Sequence, residues 1–259
     1  MLFALFAEFY KFFNDVKRYW FEYLIGYINH ALFLIGIYWG ISSLSPQRNI
    51  GAVFVALLLW GFSGSAITSL SNLIGEERYL GTIERIDLTR VSLLNVFVFR
   101  MFVEFLFQLL KMAIIGGILF MTFKPSFTFL KTLRGGIPLI VIISLISIFM
   151  LYGFGFFIAS VGLMFKRVYS LASILEYVIL FLSGVIIPFE NLPSVLKNIS
   201  VFLPLTLSAL ALNKVANLEF PVREIIFLVI YTGIIVGIGI LVFKVAMKWV
   251  KKTGEFSAY

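Results

Sequence analysis

Arg100, Glu104, Gln108 and Lys111 follow one another at intervals of four, four and three inside a long apolar run. That spacing sets them on one face of a helix. Ionisable groups are costly within a membrane, and there they mark pathways, proton relays or subunit contacts. Glu104 and Lys111 stand about two turns apart, roughly 10 Å along the axis, too far to pair directly. The stripe has two readings. It is a pathway lining or subunit interface, or a set of structural polar groups that bond to neighbouring helices and snorkel. The second is preferred. Glu176 falls near the inner end of another apolar block, where it reaches toward headgroups. His30, the one histidine, reads as a satisfied helix residue rather than a proton relay.

A second concentration of polar chemistry runs from Gly75 to Ser92, between two apolar blocks. It is short, dense in charge and compatible with a helix, a form suited to plugging into a partner on the cytoplasmic side. Glu84, Arg85 and Asp87 offer charge-assisted hydrogen bonds, and Ile83, Ile86 and Leu88 offer an apolar anchor.

Other chemistries are excluded. There is no cysteine, so disulfides, thiolate metal sites and cysteine nucleophiles are out. A single histidine makes a histidine-rich metal site implausible. No G-x-x-x-x-G-K-[ST], H-E-x-x-H or G-x-S-x-G sequence occurs. The chain therefore reads as having no catalytic residue and no cofactor or metal of its own.

The elements that must position these groups are membrane helices. Hydrophobic residues make up 61% of the 259 residues, charged residues 13%, and the mean hydropathy is +1.04. A soluble domain is typically about 45–50% apolar and about 25% charged. The net charge of +8 then reflects cytoplasmic loops and anionic headgroups rather than nucleic acid. Six apolar blocks reach the ~20 residues that a crossing needs. They lie near Leu24–Leu44, Ile50–Ile74, Val96–Phe123, Gly135–Met164, Leu171–Pro188 and Ile225–Met247. With the N-terminus inside, thirteen Lys and Arg fall on the inner side and seven on the outer, with Lys111 inside a span. That bias predicts a multi-pass protein of the plasma (inner) membrane with both termini cytoplasmic.

Two segments are irregular. In Leu2–Tyr23 the charges Glu8, Lys11, Asp15, Arg18 and Glu22 recur every three or four residues among Phe, Leu, Tyr and Trp. This predicts an amphipathic helix lying in the inner interface, with Glu/Lys and Asp/Arg neighbours able to pair. The other reading is an extra-long first helix. After the fifth block, Pro188, Pro193 and Pro204 punctuate apolar sequence. Proline disfavours helix continuation, and broken backbone at membrane depth survives only under protein or against a water-filled cavity. Pro188–Leu205 is expected to form short re-entrant helices dipping into the outer leaflet. A surface-lying loop helix is the alternative. Gly61 with Ser65, Gly155 with Ala159 and Gly233 with Gly237 have the spacing of close helix packing, within the chain or between copies. Residues 1–259 read as a single domain: an interfacial helix at 1–23, an all-α six-span bundle at 24–247 and a tail at 248–259.

In this order the features resemble the membrane subunit of ABC-2-type transporters, the permeases of ABC exporters. Gly81-Thr82-Ile83-Glu84-Arg85 and Leu88-Thr89-Arg90-Val91-Ser92 look like the family's G-T-x-E-x pattern and T-P-x-S turn. Tyr152–Lys214 carries the rest, including Gly153, Gly155, Phe165-Lys166-Arg167, Ser183-Gly184, Pro188, Leu192-Pro193 and Leu203-Pro204-Leu205. Arg90 departs from the pattern, standing where the family often has proline. The resemblance implies that two copies form the pathway and that two separate ABC ATPase subunits bind below, holding ATP and Mg. It implies that Gly81, Thr82, Ile83, Glu84, Arg85 and Asp87 form a coupling helix. It implies an outer gate at Pro188, Glu190, Pro193 and Pro204. The cargo would be amphipathic: a glycolipid, polysaccharide, drug or peptide.

Two other functions compete. An ion-coupled secondary transporter would use Glu104, Lys111 and Glu176, but no inverted repeat of broken helices is visible. A membrane enzyme acting on lipids would need a cluster of acids, bases or metal ligands that the sequence lacks.

Overall fold

The computed structural model describes residues 2–44, 50–89, 92–123, 127–165 and 169–253. Arg90 and the Lys166-Arg167 turn lie outside the described residues, as do the side chains of Glu84 and Asp87. The described residues are helical, with short connections. The elements are α1 (Leu2–Arg18), α2 (Trp20–Leu44), α3 (Ile50–Tyr79), α4 (Ile83–Asp87), α5 (Leu93–Phe123), α6 (Phe127–Phe165), α7 (Tyr169–Leu182), α8 (Ser194–Ser200), α9 (Thr206–Ala216) and α10 (Val222–Thr253).

Among the described residues five helices are long and apolar enough to cross a membrane: α2, α3, α5, α6 and α10. Their long, mainly apolar runs favour helices because no other single-segment structure satisfies the backbone without water. The fifth predicted span differs. Leu171–Pro188 yields only α7, whose 14 residues extend roughly 21 Å, against the ~30 Å of a hydrocarbon core. The chain bends at Ser183–Ile187, with Gly184 at φ 85°.

Buried α3 is the axis of the molecule, touched by α2, α5, α6, α7 and α9. Helix α6 packs along both α3 and α10. Two close approaches depend on glycine. A Cβ on Gly155 would sit 2.4 Å from the Ala66 carbonyl oxygen of α3. A Cβ on Gly239 of α10 would sit 2.7 Å from the Gly153 carbonyl oxygen. Gly61 is likewise packed within the chain, against Met112 and His30, whereas Gly233 and Gly237 face open space.

The core has two parts. The larger joins α2, α3, α5, α6, α7 and α9, with Leu228 of α10. The smaller gathers Leu70, Leu73, Ile74, Ile83, Leu93, Phe97, Leu163, Phe243 and Val250. It includes one residue of the tiny α4, so that helix is anchored to the bundle rather than hanging below it.

The N-terminal stretch divides at Tyr19, earlier than the expected boundary at 23, into α1 and α2. Helix α1 packs mainly on α5, so the extra-long first helix is not formed. After Gly184 come a 3-10 turn at Phe189–Asn191, then α8 and α9. Ser200 caps the bent segment through its hydroxyl to the Leu182 carbonyl, and Thr206 donates to the Ser200 carbonyl at 2.6 Å. Helix α9, not predicted as a separate element, is buried through Ala209, Ala211, Leu212 and Val215. Its Ser208 meets Ser147 of α6 at 2.6 Å.

Candidate functional site: the α4 element and the charged cluster above it

Helix α3 runs to Tyr79, and the chain reverses through Leu80-Gly81-Thr82 into α4. Gly81 has φ 63°, a left-handed conformation that side chains with a Cβ resist. The Thr82 carbonyl accepts from Ile86 N–H at 3.0 Å and opens the helix. Ile83 is 2% exposed, in the smaller part of the core. Leu88, by contrast, is 87% exposed, and Arg85 is exposed too. The expected apolar anchor is thus divided. Ile83 holds α4 to its own chain with Ile86 packed beside it, and Leu88 and Arg85 face outward.

Directly above α4 lies a cluster that the sequence reading did not assemble. Glu77, its side chain 6% exposed, accepts from Lys11 of α1 at 2.6 Å. It also takes the Arg100 guanidinium of α5 at 3.3 Å. Its other carboxylate oxygen accepts from the Thr82 hydroxyl, and its carbonyl accepts from Thr82 N–H at 2.9 Å. Arg100 reaches Glu76 at 2.8 Å and lies 4.0 Å from Glu8. One carboxylate therefore ties α1, α3, α5 and the entry to α4. Burial pushes the Glu8 carboxyl above its ordinary value, against the attraction of Arg100 and Lys11.

The expectation that the charges of α1 pair along their own helix is corrected here. Lys11 turns to Glu77, Glu8 to Arg100, and Asp15 accepts from Tyr23 at 3.0 Å. Partners on other helices are already fixed by the bundle, so they cost less ordering than two mobile side chains on one surface. A signal was available in Glu76-Glu77, two carboxylates near the C-terminal end of an apolar helix. Arg100 lies at matching depth on the next one.

The stripe on α5 divides among different partners. Arg100 belongs to the Glu77 cluster, and Glu104 accepts from Ser69 of α3. Gln108 donates to the Gly61 carbonyl at 2.9 Å, and Lys111 sits 5.5 Å from the Tyr27 ring centroid. Gln108 and Glu104 thus both bond to α3. Glu176 packs against Gly64 of α3 rather than extending to a headgroup. Its carbonyl accepts from Trp60 Nε1 at 3.1 Å. His30 stacks on Trp60, and its buried Nε2 has no hydrogen-bond partner among the described residues, contrary to the satisfied histidine expected.

The four gate candidates are spread along the bent segment. Pro188 precedes the 3-10 turn, Pro193 begins α8, Glu190 and Pro193 are exposed, and Pro204 is buried. Among the described residues no three His, Asp or Glu side chains converge as metal ligands.

Residues 3–215 match the model of the ABC-2 type transporter family, well over half of the chain. The chain belongs to the ABC-2 type transporter family. No curated protein matches it closely enough to serve as a relative. It is a multi-pass membrane protein and a permease component of an ABC-type transporter, as its resemblance implied.

Proposed function

We propose that this permease forms the translocation pathway of an ATP-driven exporter, working as two copies with two separate ABC ATPase subunits. ATP and Mg reside on those partners, and this chain does no catalysis. The cargo is an amphipathic or lipid-linked molecule leaving the cytoplasm or the inner leaflet. Helix α7 with the bend to Pro188 makes the sixth crossing, and both termini and α4 face the cytoplasm at the plasma (inner) membrane. Pro188, Glu190, Pro193 and Pro204 belong to an outer gate.

The observation that carries the coupling role is α4, which is anchored inward by Ile83 and presents Arg85 and Leu88 outward. A short helix fixed to the bundle on one side and free on the other passes a partner's movement into the permease. The ATPase acts by favouring one of two permease conformations. Gly81 and Thr82 set the angle of α4, while Glu84, Arg85 and Asp87 supply charged contacts.

The test is the double substitution Glu84→Ala, Arg85→Ala in the full transporter. Each charge-assisted bond is worth about 1.5–3 kcal/mol. Transport per ATP hydrolysed is expected to fall about tenfold or more, with no change in the thermal stability of the permease. Normal ATP-driven transport by that variant removes the coupling role from α4. Co-purification from native membranes in mild detergent checks the partner: a stoichiometric P-loop ATPase is expected.

A further inference from the structure

Between α1 and α2 on one side and α3 and α5 on the other lies a partly open cavity of about 620 Å³. That is within the ordinary range for a small-molecule site. Its lining is ordered by the helix period. Tyr19, Tyr23 and Tyr27 fall at intervals of four and border the cavity, and Gly26 leaves room beside them. Four carboxylates line it, from Asp15, Glu22, Glu76 and Glu104, against the single ammonium of Lys111. Lys111 is at the far end, over the Tyr27 ring.

Three of the four carboxylates are engaged. Asp15 accepts from Tyr23, Glu76 from Arg100, and Glu104 from Ser69. Glu22 has no partner among the described residues. Arg100 offsets Glu76, and Arg18 lies 5.6 Å from the Tyr19 ring centroid, so the chamber keeps an unmatched carboxylate, Glu22, near the Tyr23 ring, which has no cation over it among the described residues. Ring faces and carboxylates together attract organic cations and repel anionic heads. Neighbouring positions on α2 and α5, Leu24, Ile25, Leu106 and Leu110, are exposed and apolar, a surface for acyl chains.

We propose that this cavity binds the ammonium head of a cationic amphiphile, with the tail left among lipid chains. The ammonium sits by Glu22 and Asp15 against the Tyr23 ring, since Arg18 already lies 5.6 Å from the Tyr19 ring centroid. Lys111 repels it from the far end and so fixes the depth of entry. Two sources supply such a head: a transported amphiphile or a resident membrane lipid carrying an amine. As an entry point for cargo the site rests on the exporter reading. As a binding site it stands without it.

The experiment places the full-length permease in phosphatidylglycerol nanodiscs and measures binding of radiolabelled dodecyltrimethylammonium. Saturable binding is expected, with dodecyl sulfate failing to compete. Glu22→Gln, an exposed position whose change leaves the fold intact, should weaken binding about two- to fivefold, the loss of one exposed ion pair. Tyr23→Leu should weaken it further. No saturable binding, equal competition by dodecyl sulfate, or unchanged affinity in a Glu22→Gln, Asp15→Asn variant overturns the proposal. Adding phosphatidylethanolamine to the nanodiscs separates the sources. Reduced apparent affinity identifies a resident lipid amine as occupant, and unchanged affinity identifies a free amphiphile; either supports the site. No ATPase is present, so a failure here leaves the coupling role of α4 untouched.

Discussion

At the scale of the residue, Glu77 decides most. Its carboxylate is almost sealed and holds two cations and a hydroxyl. Glu77→Gln should cost roughly 1.5–3 kcal/mol, since it weakens bonds to charged donors that remain in place. Thermal unfolding in detergent checks this. Lys11→Met should cost under about 1 kcal/mol, because Lys11 is 46% exposed and its ion pair is screened. Glu8 behaves in the opposite sense. Burial raises its carboxyl above the ordinary 4.5, so the folded chain holds that proton more tightly than the unfolded chain. Its contribution to stability is therefore best below the unfolded value and is lost as pH rises through the folded one. Glu8→Gln should flatten that part of the stability profile and leave stability at neutral pH unchanged or slightly higher. A drop of more than 1 kcal/mol at neutral pH, on the order of a strong charged contact, would show that the attraction of Arg100 outweighs burial.

At the scale of the element, contact between helices is set by small residues and strained turns. Helix α6 touches the backbone of α3 at Gly155, where a Cβ would lie 2.4 Å from a carbonyl oxygen. Gly155→Ala should force the helices apart and destabilise the permease by roughly 1–3 kcal/mol, the usual cost of overpacking. Gly237→Ala, which meets open space inside α10, is the control and should be neutral or stabilising by up to about 1 kcal/mol in the same unfolding assay. Helix α4 has five residues and no stability of its own. It persists because Gly81 turns the chain and Ile83 is buried. The helices were legible from apolar runs, since length and hydropathy are properties of the chain alone. The division at Tyr19 was not: no glycine or proline marks it. The packing of α1 on α5 and the reach of Lys11 to Glu77 impose it.

At the scale of the whole molecule, the five long helices include a buried α3, with α2 and α10 mostly exposed and apolar. Orientation rests on the Lys and Arg bias. Absence of native cysteine makes that bias directly testable. A cysteine at Asn217, exposed between α9 and α10, should react with a membrane-impermeant maleimide on intact cells. One at exposed Arg85 should react only after the cells are opened. The reverse pattern would invert the whole assignment, placing α4 outside and ending the coupling proposal.

The amino-acid sequence by itself determined the solvent this protein folds in, its helical class, five of its crossings and its family. Each of those follows from composition, run length or local motif order. It also marked Gly75–Ser92 as a distinct segment, because charge between apolar blocks stands out without any partner in view. Only the tertiary structure decided that Ile83 belongs to the permease core, that Arg100 leaves the α5 stripe for Glu77, and that Tyr19, Tyr23 and Tyr27 border a chamber with Glu22. The physical reason is common to all three. Side-chain partners across helices depend on axial register and rotation between elements far apart in sequence, and the hydrophobic pattern constrains those only loosely.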